Sequence, residues 1–272
     1  MERENQRRKV YEAEIDAARE EIIKKHRACG GTGFIERVIK DESSGLAKQG
    51  VEVCKCRKKF DIVSKFIISN IPYKSLVNQQ IYGKLVTDVS AKEKIELRRE
   101  VIMPYIRHIK QAVKEPYGFL FLGKNGTGKT FVGLKMLYYA VVNGLTACNI
   151  EMADLLKLSR KLFDRDSEVE RLLDEISSVD ILMIDEIGNE SKRSSYVISE
   201  FKSLYKKRVS ARRPTILITN YSYKDFNKIY GKSIQNMVQS HCKVFDFSDA
   251  ADVRKTKCSS EMNTFFKQIK RK

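Results

Sequence analysis

The chain has 272 residues, with 52 Lys and Arg against 35 Asp and Glu for a formal charge of +17, and 42% of its residues are hydrophobic. That is enough apolar material for one full domain plus a small accessory one, which excludes a mainly disordered protein, while the basic excess points to a polyanionic partner such as nucleic acid. There is no run of about 18 apolar residues and the opening segment has no apolar signal core, which excludes a transmembrane helix and a secretory leader; the expectation is a soluble, cytoplasmic protein with no membrane partner.

Met1–Glu21 reads as a charged amphipathic helix. After it come His26-Arg-Ala-Cys29-Gly-Gly-Thr-Gly, a polar stretch at Asp41–Gly50 that reads as a loop, and Val53-Cys54-Lys-Cys56. An H-x-x-C pair and a C-x-C pair on either side of a loop offer four nitrogen and sulfur ligands, the number that structural zinc takes as a closed tetrahedron. The glycines after Cys29 allow the tight turn such a knuckle needs. The competing reading is two unrelated thiol sites and a surface histidine. Six cysteines in an intracellular chain are read as reduced thiols or metal ligands before disulfides. Cys148, Cys242 and Cys258 stand alone and read as buried small hydrophobes or inert thiols. From about Arg57 the pattern turns helical until Pro72, and a further helix is expected from about Ala91 to Val113. The boundary between accessory and main domains falls near residues 57–75, which divides the chain into 1–70 and 71–272.

Beyond that point short apolar runs alternate with helical stretches: Gly118–Leu122, Ala147–Glu151, Ile181–Asp185, Thr215–Thr219 and Lys243–Phe247. Strands separated by amphipathic helices imply crossover units, an α/β fold and a parallel sheet with helices on both faces.

The strongest chemical signal is Gly123-Lys-Asn-Gly-Thr-Gly-Lys-Thr130, which fits G-x-x-x-x-G-K-[ST] between an apolar strand and a helix. In such a loop the backbone of Gly123, Asn125, Gly126, Thr127 and Gly128 curls so that N–H groups point at phosphate oxygens, and the next helix adds its positive end. Lys129 is placed to reach the β- and γ-phosphates and the Thr130 hydroxyl to ligate Mg²⁺. Val179–Ile184 then runs into Asp185 and Glu186, an apolar strand ending in two carboxylates where ligands bind in this architecture. Asp185 can hold the Mg²⁺ shell, and Glu186 can polarise a water for in-line attack on the γ-phosphate. A third strand, Arg213–Thr219, ends at Asn220, which a parallel sheet would bring beside Glu186 to orient the same water.

The order of phosphate loop, IDEIG, SSYVISEFKSLYKKR and RPTILITN, with IPYKSL and DLLKLSRKLF between and before them, resembles the AAA+ ATPases of the bacterial or phage DnaC/DnaI-type helicase loaders and the related IstB-like ATP-binding proteins. The resemblance runs from about Ile71 onward. It implies a five-stranded AAA+ phosphate-loop core, ATP with Mg²⁺, and an ATPase that places a hexameric replicative DNA helicase on single-stranded DNA, self-assembling into a ring or spiral on that helicase. It makes Lys129 and Thr130 Walker A, Asp185 and Glu186 Walker B, Asn220 sensor 1 and Arg254 the sensor 2 arginine. Zinc-bearing loaders have a similar C-x-x-C-x-G-T-G … C-x-C layout, with His26 here in the place of the first cysteine, and in them this domain contacts the helicase.

One departure concerns turnover. Loaders carry arginines in a G-x-R-x-x-D-R-like segment after sensor 1, whereas this chain has Ser233 and Met237 at those positions, leaving Lys232, Arg212 or Arg213 as substitutes. A trans-acting arginine is worth about 10³–10⁵ in rate, so hydrolysis is expected to be slow. Two other functions compete with the loader: an IstB-like transposition helper and a nucleotide-gated adaptor with weak hydrolysis. From Tyr205 onward there are 16 basic and 5 acidic residues, interleaved with Tyr221, Tyr223, Phe226 and Tyr230. That pattern is read either as a single-strand-binding surface with stacking aromatics or as core aromatics under a solvated basic face.

Overall fold

Five apolar runs of five to seven residues, each too short for a buried helix, become the strands of one parallel sheet. The computed structural model describes residues 13–40, 47–71, 100–161, 167–189 and 195–248. The chain divides into two compact units, Met1–Tyr73 and Lys74–Lys272.

In the first unit, residues 13–19 are helical and run into a π turn at Glu20–Lys24, then a 3₁₀ turn at Arg27–Cys29. Strands β1 (Phe34–Lys40) and β2 (Ala47–Val53) form an antiparallel hairpin in register from Phe34↔Val53 to Lys40↔Ala47. Helix α1 (Lys55–Ile68) follows. The polar stretch Asp41–Gly50, expected as a loop, therefore supplies part of a strand from Ala47 onward. Most of the hairpin's described side chains are exposed, Phe34, Val51 and Val53 included, so no apolar alternation marks it and polarity alone misleads there. The hydrophobic core of this unit is small: Ala18, Ile23, Phe60, Val63 and Ile67 pack around Cys29, Cys54 and Cys56.

The first helices described in the second unit are α2 (Met103–Arg107) and α3 (Ile109–Ala112). The expected continuous helix from Ala91 to Val113 is thus broken at His108, whose φ of −107° and ψ of 27° leave the helical region. Residues 91–99 and Pro72 lie outside the described residues. In chain order there follow β3 (Gly118–Leu122), α4 (Lys129–Val142), β4 (Ala147–Glu151), α5 (Met152–Lys161), α6 (Ser167–Ser178), β5 (Ile181–Ile187), α7 (Ser195–Ser210), β6 (Thr215–Thr219), α8 (Tyr223–His241) and β7 (Cys242–Asp246). Three strands keep the expected bounds, β5 runs on to Ile187, and β7 starts one residue early.

The sheet order is β4-β5-β6-β3-β7 and every pairing is parallel. Because side chains alternate along a strand, the sheet is buried on both faces. Leu120, Leu122, Leu182, Ile184 and Leu217 join a core with residues of α5, α6, α7 and α8. On the other face Met183, Ile216 and Ile218 meet Gly133 of α4, where a Cβ would come within 2.4 Å of the Met183 sulfur. Among the described residues no helix is long and apolar enough to cross a membrane.

Arg208 closes the edge of the sheet where the strands begin. It is fully buried, yet its guanidinium has a donor for each acceptor around it. Nε donates to Thr215 Oγ1 (3.0 Å), Nη1 to the carbonyls of Ser177 (3.0 Å) and Val179 (2.9 Å), and Nη2 to the Pro214 carbonyl (2.6 Å). Burial, helped by the charge of Arg213, pushes this guanidinium down to about 9, which still leaves it cationic at neutral pH. One side chain thus ties the end of α6, the end of α7 and the start of β6. Arg208→Ala should lose about 3–5 kcal/mol in urea unfolding, because it leaves a cavity and unsatisfied carbonyls. Arg208→Lys should recover less than half of that loss, since an ammonium cannot span all four acceptors.

Candidate functional site

After β3 the chain must reverse sharply, and it does so through Gly123 (φ 116°), Gly126 (φ 81°) and Gly128 (φ 92°). A Cβ at Gly123 would stand 2.7 Å from backbone atoms of Phe247 and Ser248, so the loop also needs glycine for lack of room. Gly128 is the residue before α4, which places Lys129 and Thr130 in the first turn of that helix. The Lys129 side chain is buried, and its Nζ donates to the carbonyls of Gly123 and Lys124, both at 2.6 Å. Thr127 Oγ1 donates to the Lys124 carbonyl at 2.9 Å, which ties the curl together. Asn125 is exposed at the tip of the loop.

β5 reaches the same edge of the sheet with Asp185 buried and Glu186 exposed. Regular alternation would send these two neighbours to opposite faces. Instead the strand carries an irregularity between Ile184 and Ile187, and Glu186 adopts a left-handed φ of 55°. For a residue with a side chain that conformation costs about 1–2 kcal/mol, and bulges of this kind re-aim side chains beside active sites. The Glu186 N–H donates to Asp185 Oδ1 at 2.7 Å. Burial raises the Asp185 carboxyl above its ordinary range, opposed by a hydrogen bond with the Thr130 side chain, the Glu186 amide and the charge of Lys129. Thr130 and Asp185, from a helix and a strand far apart in sequence, are therefore in direct contact.

β6 lies between β3 and β5, so Asn220 emerges between the phosphate loop and the acidic pair. Ile187 pairs with Thr219, and Thr219 Oγ1 donates to the Ile187 carbonyl at 2.6 Å. Tyr221 Oη donates to the Gly188 carbonyl at 3.2 Å. In the sequence only the glycine of IDEIG signals this last contact. Gly188 has φ 101°, and a Cβ there would fall 2.0 Å from the Tyr221 ring.

Several expected positions sit elsewhere. Arg254 and Cys258 lie outside the described residues. Phe226 and Tyr230 are buried in the core with Phe201, ring centroids 4.9–5.3 Å apart, and are unavailable for base stacking. Tyr221 and Tyr223 pack against the same core. Arg212 and Arg213 precede β6, at the opposite end of that strand from Asn220, and Arg212 pairs with Glu115. α8 is interrupted at Gly231 (φ 76°, ψ 172°), which leaves Lys232 exposed at the head of the second half. Met237 packs against the core, which explains an apolar residue at that position.

In the first unit, His26, Cys29, Cys54 and Cys56 bring their ligand atoms within 4.8 Å of one another. His26 Nδ1 stands 3.5 Å from both Cys29 Sγ and Cys54 Sγ, and Cys29 Sγ 3.4 Å from Cys56 Sγ. Gly30, Gly31 and Gly33 all have positive φ, which turns the chain back under Cys29. The Cys54 amide donates to the Gly33 carbonyl at 3.0 Å and the Gly33 amide to Cys29 Sγ at 3.4 Å, so the two ligand segments are held together by backbone. Burial opposes ionisation of Cys29, but hydrogen bonds from the His26 ring, the Gly33 amide, the Cys56 thiol and the Gly31 amide outweigh it and bring the thiol down to about 6. Burial and the neighbouring sulfurs push Cys56 up to about 12. No disulfide joins the cysteines among the described residues. Three thiols and an imidazole converging in this way form a cluster that could hold a metal ion, and the donor set suits zinc.

A glycine-cradled lysine, a threonine touching a strand-end aspartate and an adjacent strand ending in asparagine define a phosphate-loop nucleotide-binding α/β protein. The description of IstB-like ATP binding proteins matches residues 110–256. That is more than half of the chain, and the chain belongs to this family. It is 33% identical over 125 residues to the replicative helicase loader DnaC of Buchnera aphidicola subsp. Baizongia pistaciae, covering 44% of this chain and 50% of that one. To DnaC of Escherichia coli K12 it is 31% identical over 124 residues, covering 44% and 49%. The chain spans about half the length of these curated relatives. A crystal structure of the DnaC helicase loader superposes with a TM-score of 0.48 at 18% identity, over 54% of this chain and 86% of that one.

Gly188→Ala combines a strained φ with a ring at 2.0 Å. It should cost about 2 kcal/mol or more in thermal or urea unfolding. Combining it with Tyr221→Ala should return at least half of that cost if the ring is the obstacle.

Proposed function

We propose that this chain is an ATP-driven loader that binds a hexameric replicative helicase and places it on single-stranded DNA. The observation that carries the nucleotide part of the reading is the contact of Thr130 with Asp185 beside the buried Lys129. The helicase part rests on the DnaC relatives. Residues 71–272 form the ATPase domain and residues 1–70 the helicase-binding domain. The protomers assemble into a ring or spiral on the helicase.

In this reading the amides of Gly123, Asn125, Gly126, Thr127 and Gly128 hold the phosphate oxygens of ATP. Lys129 exchanges its two loop carbonyls for the β- and γ-phosphates. Thr130 and Asp185 hold Mg²⁺, which neutralises charge on the phosphates when bound. Glu186, turned outward by its left-handed backbone, takes a proton from the attacking water, and Asn220 orients that water. Arg254 serves as sensor 2. Ser233 and Met237 supply no charge to a neighbouring protomer, which makes hydrolysis slow and favours a switch over a motor.

Lys129→Ala should abolish ATP binding, read by fluorescent-nucleotide titration. Glu186→Gln should bind within about threefold of the parent chain yet lose at least about 100-fold in phosphate release, because it acts on the water alone. Equal loss of affinity in both variants would overturn the division of roles. Co-purification with the host's hexameric helicase tests the loader reading directly, and recovery with a transposase instead would favour the transposition helper.

His26, Cys29, Cys54 and Cys56 hold one zinc per chain, which supplies the stability that a core of so few apolar residues lacks. Elemental analysis of protein purified without chelator should give about one zinc per chain. Cys29→Ser with Cys56→Ser should drop that below about a fifth and unfold the first unit. Nucleotide affinity should remain. A metal-free parent chain would sink this assignment.

A further inference from the structure

Helix α1 has a face of one charge that neither the nucleotide site nor the cysteine cluster uses. Lys55, Lys58, Lys59 and Lys65 are all exposed. With 3.6 residues per turn they fall, with Ile62 among them, inside an arc of about 120° on one flank of the helix. The buried side is Cys56, Phe60, Val63, Phe66 and Ile67. Asp61 is the one carboxylate of the helix; it borders the arc, three residues after Lys58 and four before Lys65, and accepts from Arg57 at 3.2 Å. Among the described residues no carboxylate pairs with any of the four lysines. The row extends over ten residues, about 15 Å of helix.

At the first turn of α1 the arrangement runs against helix stability, whereas Lys65, in the last turn, suits the helix dipole. The first turn of α1 carries Lys55, Arg57 and Lys58 and no acidic residue, and Cys54 gives no side-chain cap. Each cation at the positive end of a helix is unfavourable by about 0.3–1 kcal/mol. A zinc with three thiolates and a neutral imidazole would leave one negative charge near that turn, enough to offset one cation and no more. Arg57 is compensated by Asp61 and the Phe60 ring, so Lys55 and Lys58 are the first-turn cations that the fold itself does not favour.

We propose that this face of α1 is a contact for the phosphate backbone of a nucleic acid, independent of sequence and separate from the basic C-terminal quarter of the chain. Phosphate contacts are made by lysine and arginine rows of this kind and need no apolar anchor. Protein interfaces are depleted in lysine and centred on aromatic or aliphatic anchors, and here the row offers only Ile62, 38% exposed. A membrane-surface helix would present a broad apolar face, and that face of α1 is already buried in its own unit. The proposal goes beyond the loader reading and stands apart from it.

The test uses the full chain with K55Q, K58Q, K59Q and K65Q combined, and a companion with arginine at the same four positions. Binding to a fluorescein-labelled oligothymidine is followed by anisotropy between about 50 and 200 mM salt. The glutamine variant should bind about tenfold or more weakly at the lower salt, and its log–log salt slope should be shallower by about 2–3, at about 0.7 per lost phosphate contact. The arginine variant should match the parent chain. ATP affinity should be the same in all three proteins, and the glutamine variant should melt no lower than the parent chain, which separates lost contact from lost fold. Unchanged affinity and slope in the glutamine variant would overturn the proposal, as would an arginine variant equally impaired. Loss of helicase capture or of binding to phosphatidylserine vesicles with oligothymidine binding intact would also overturn it and point to an acidic protein surface or a membrane. A glutamine variant that loses DNA affinity but still captures the helicase supports the proposal and leaves the loader reading intact.

Discussion

The contact between Thr130 and Asp185 depends on a strand that belongs to neither. Thr130 follows β3 and Asp185 ends β5, and in a parallel sheet those two strands are held at the right separation by β6 between them. The sheet order therefore does chemical work: it sets the phosphate loop, Asn220 and the acidic pair side by side along one edge. The bond from Thr219 to the Ile187 carbonyl and the close approach of Tyr221 to Gly188 lock β6 to β5 at that edge. Any slip of register there would separate the two candidate magnesium ligands.

Strain and stability sit at opposite ends of the same sheet. At the nucleotide edge Glu186 is held in a left-handed conformation and three loop glycines have positive φ. At the other edge Arg208 of α7 satisfies four acceptors at the end of α6 and the start of β6. A buried cation is costly unless all its donors are used, and here they bind the ends of α6 and α7 to the start of β6.

The first unit follows a different economy. Its cysteines belong to its apolar cluster, with Ala18, Ile23, Phe60, Val63 and Ile67 as the remainder. Among the described residues Ile15, Ile22 and Ile35 pack against that cluster. The four ligand atoms lie within 4.8 Å of one another inside that cluster, close enough that they could hold a metal ion. α1, which starts between Cys54 and Cys56, links that cluster to the lysine row on its outer flank.

The phosphate loop, the apolar strands and their alternation with helices were legible in the sequence, because glycine requirements and hydrophobic period are local properties of the chain. So was the cysteine and histidine spacing, since it is short. The hairpin of β1 and β2 was not, because a two-stranded ribbon with a wet face carries little apolar signal and exists only through its pairing. Nor was the outward turn of Glu186, since period two alone would have set it opposite Asp185. Phe226 and Tyr230 carried two readings in the sequence, and packing against Phe201 decided for the core. The amino-acid order determined which candidate groups this protein offers to a nucleotide and to a metal. Only the tertiary structure decided which of them meet, because the meeting depends on strand order and side-chain packing between segments that local pattern does not connect.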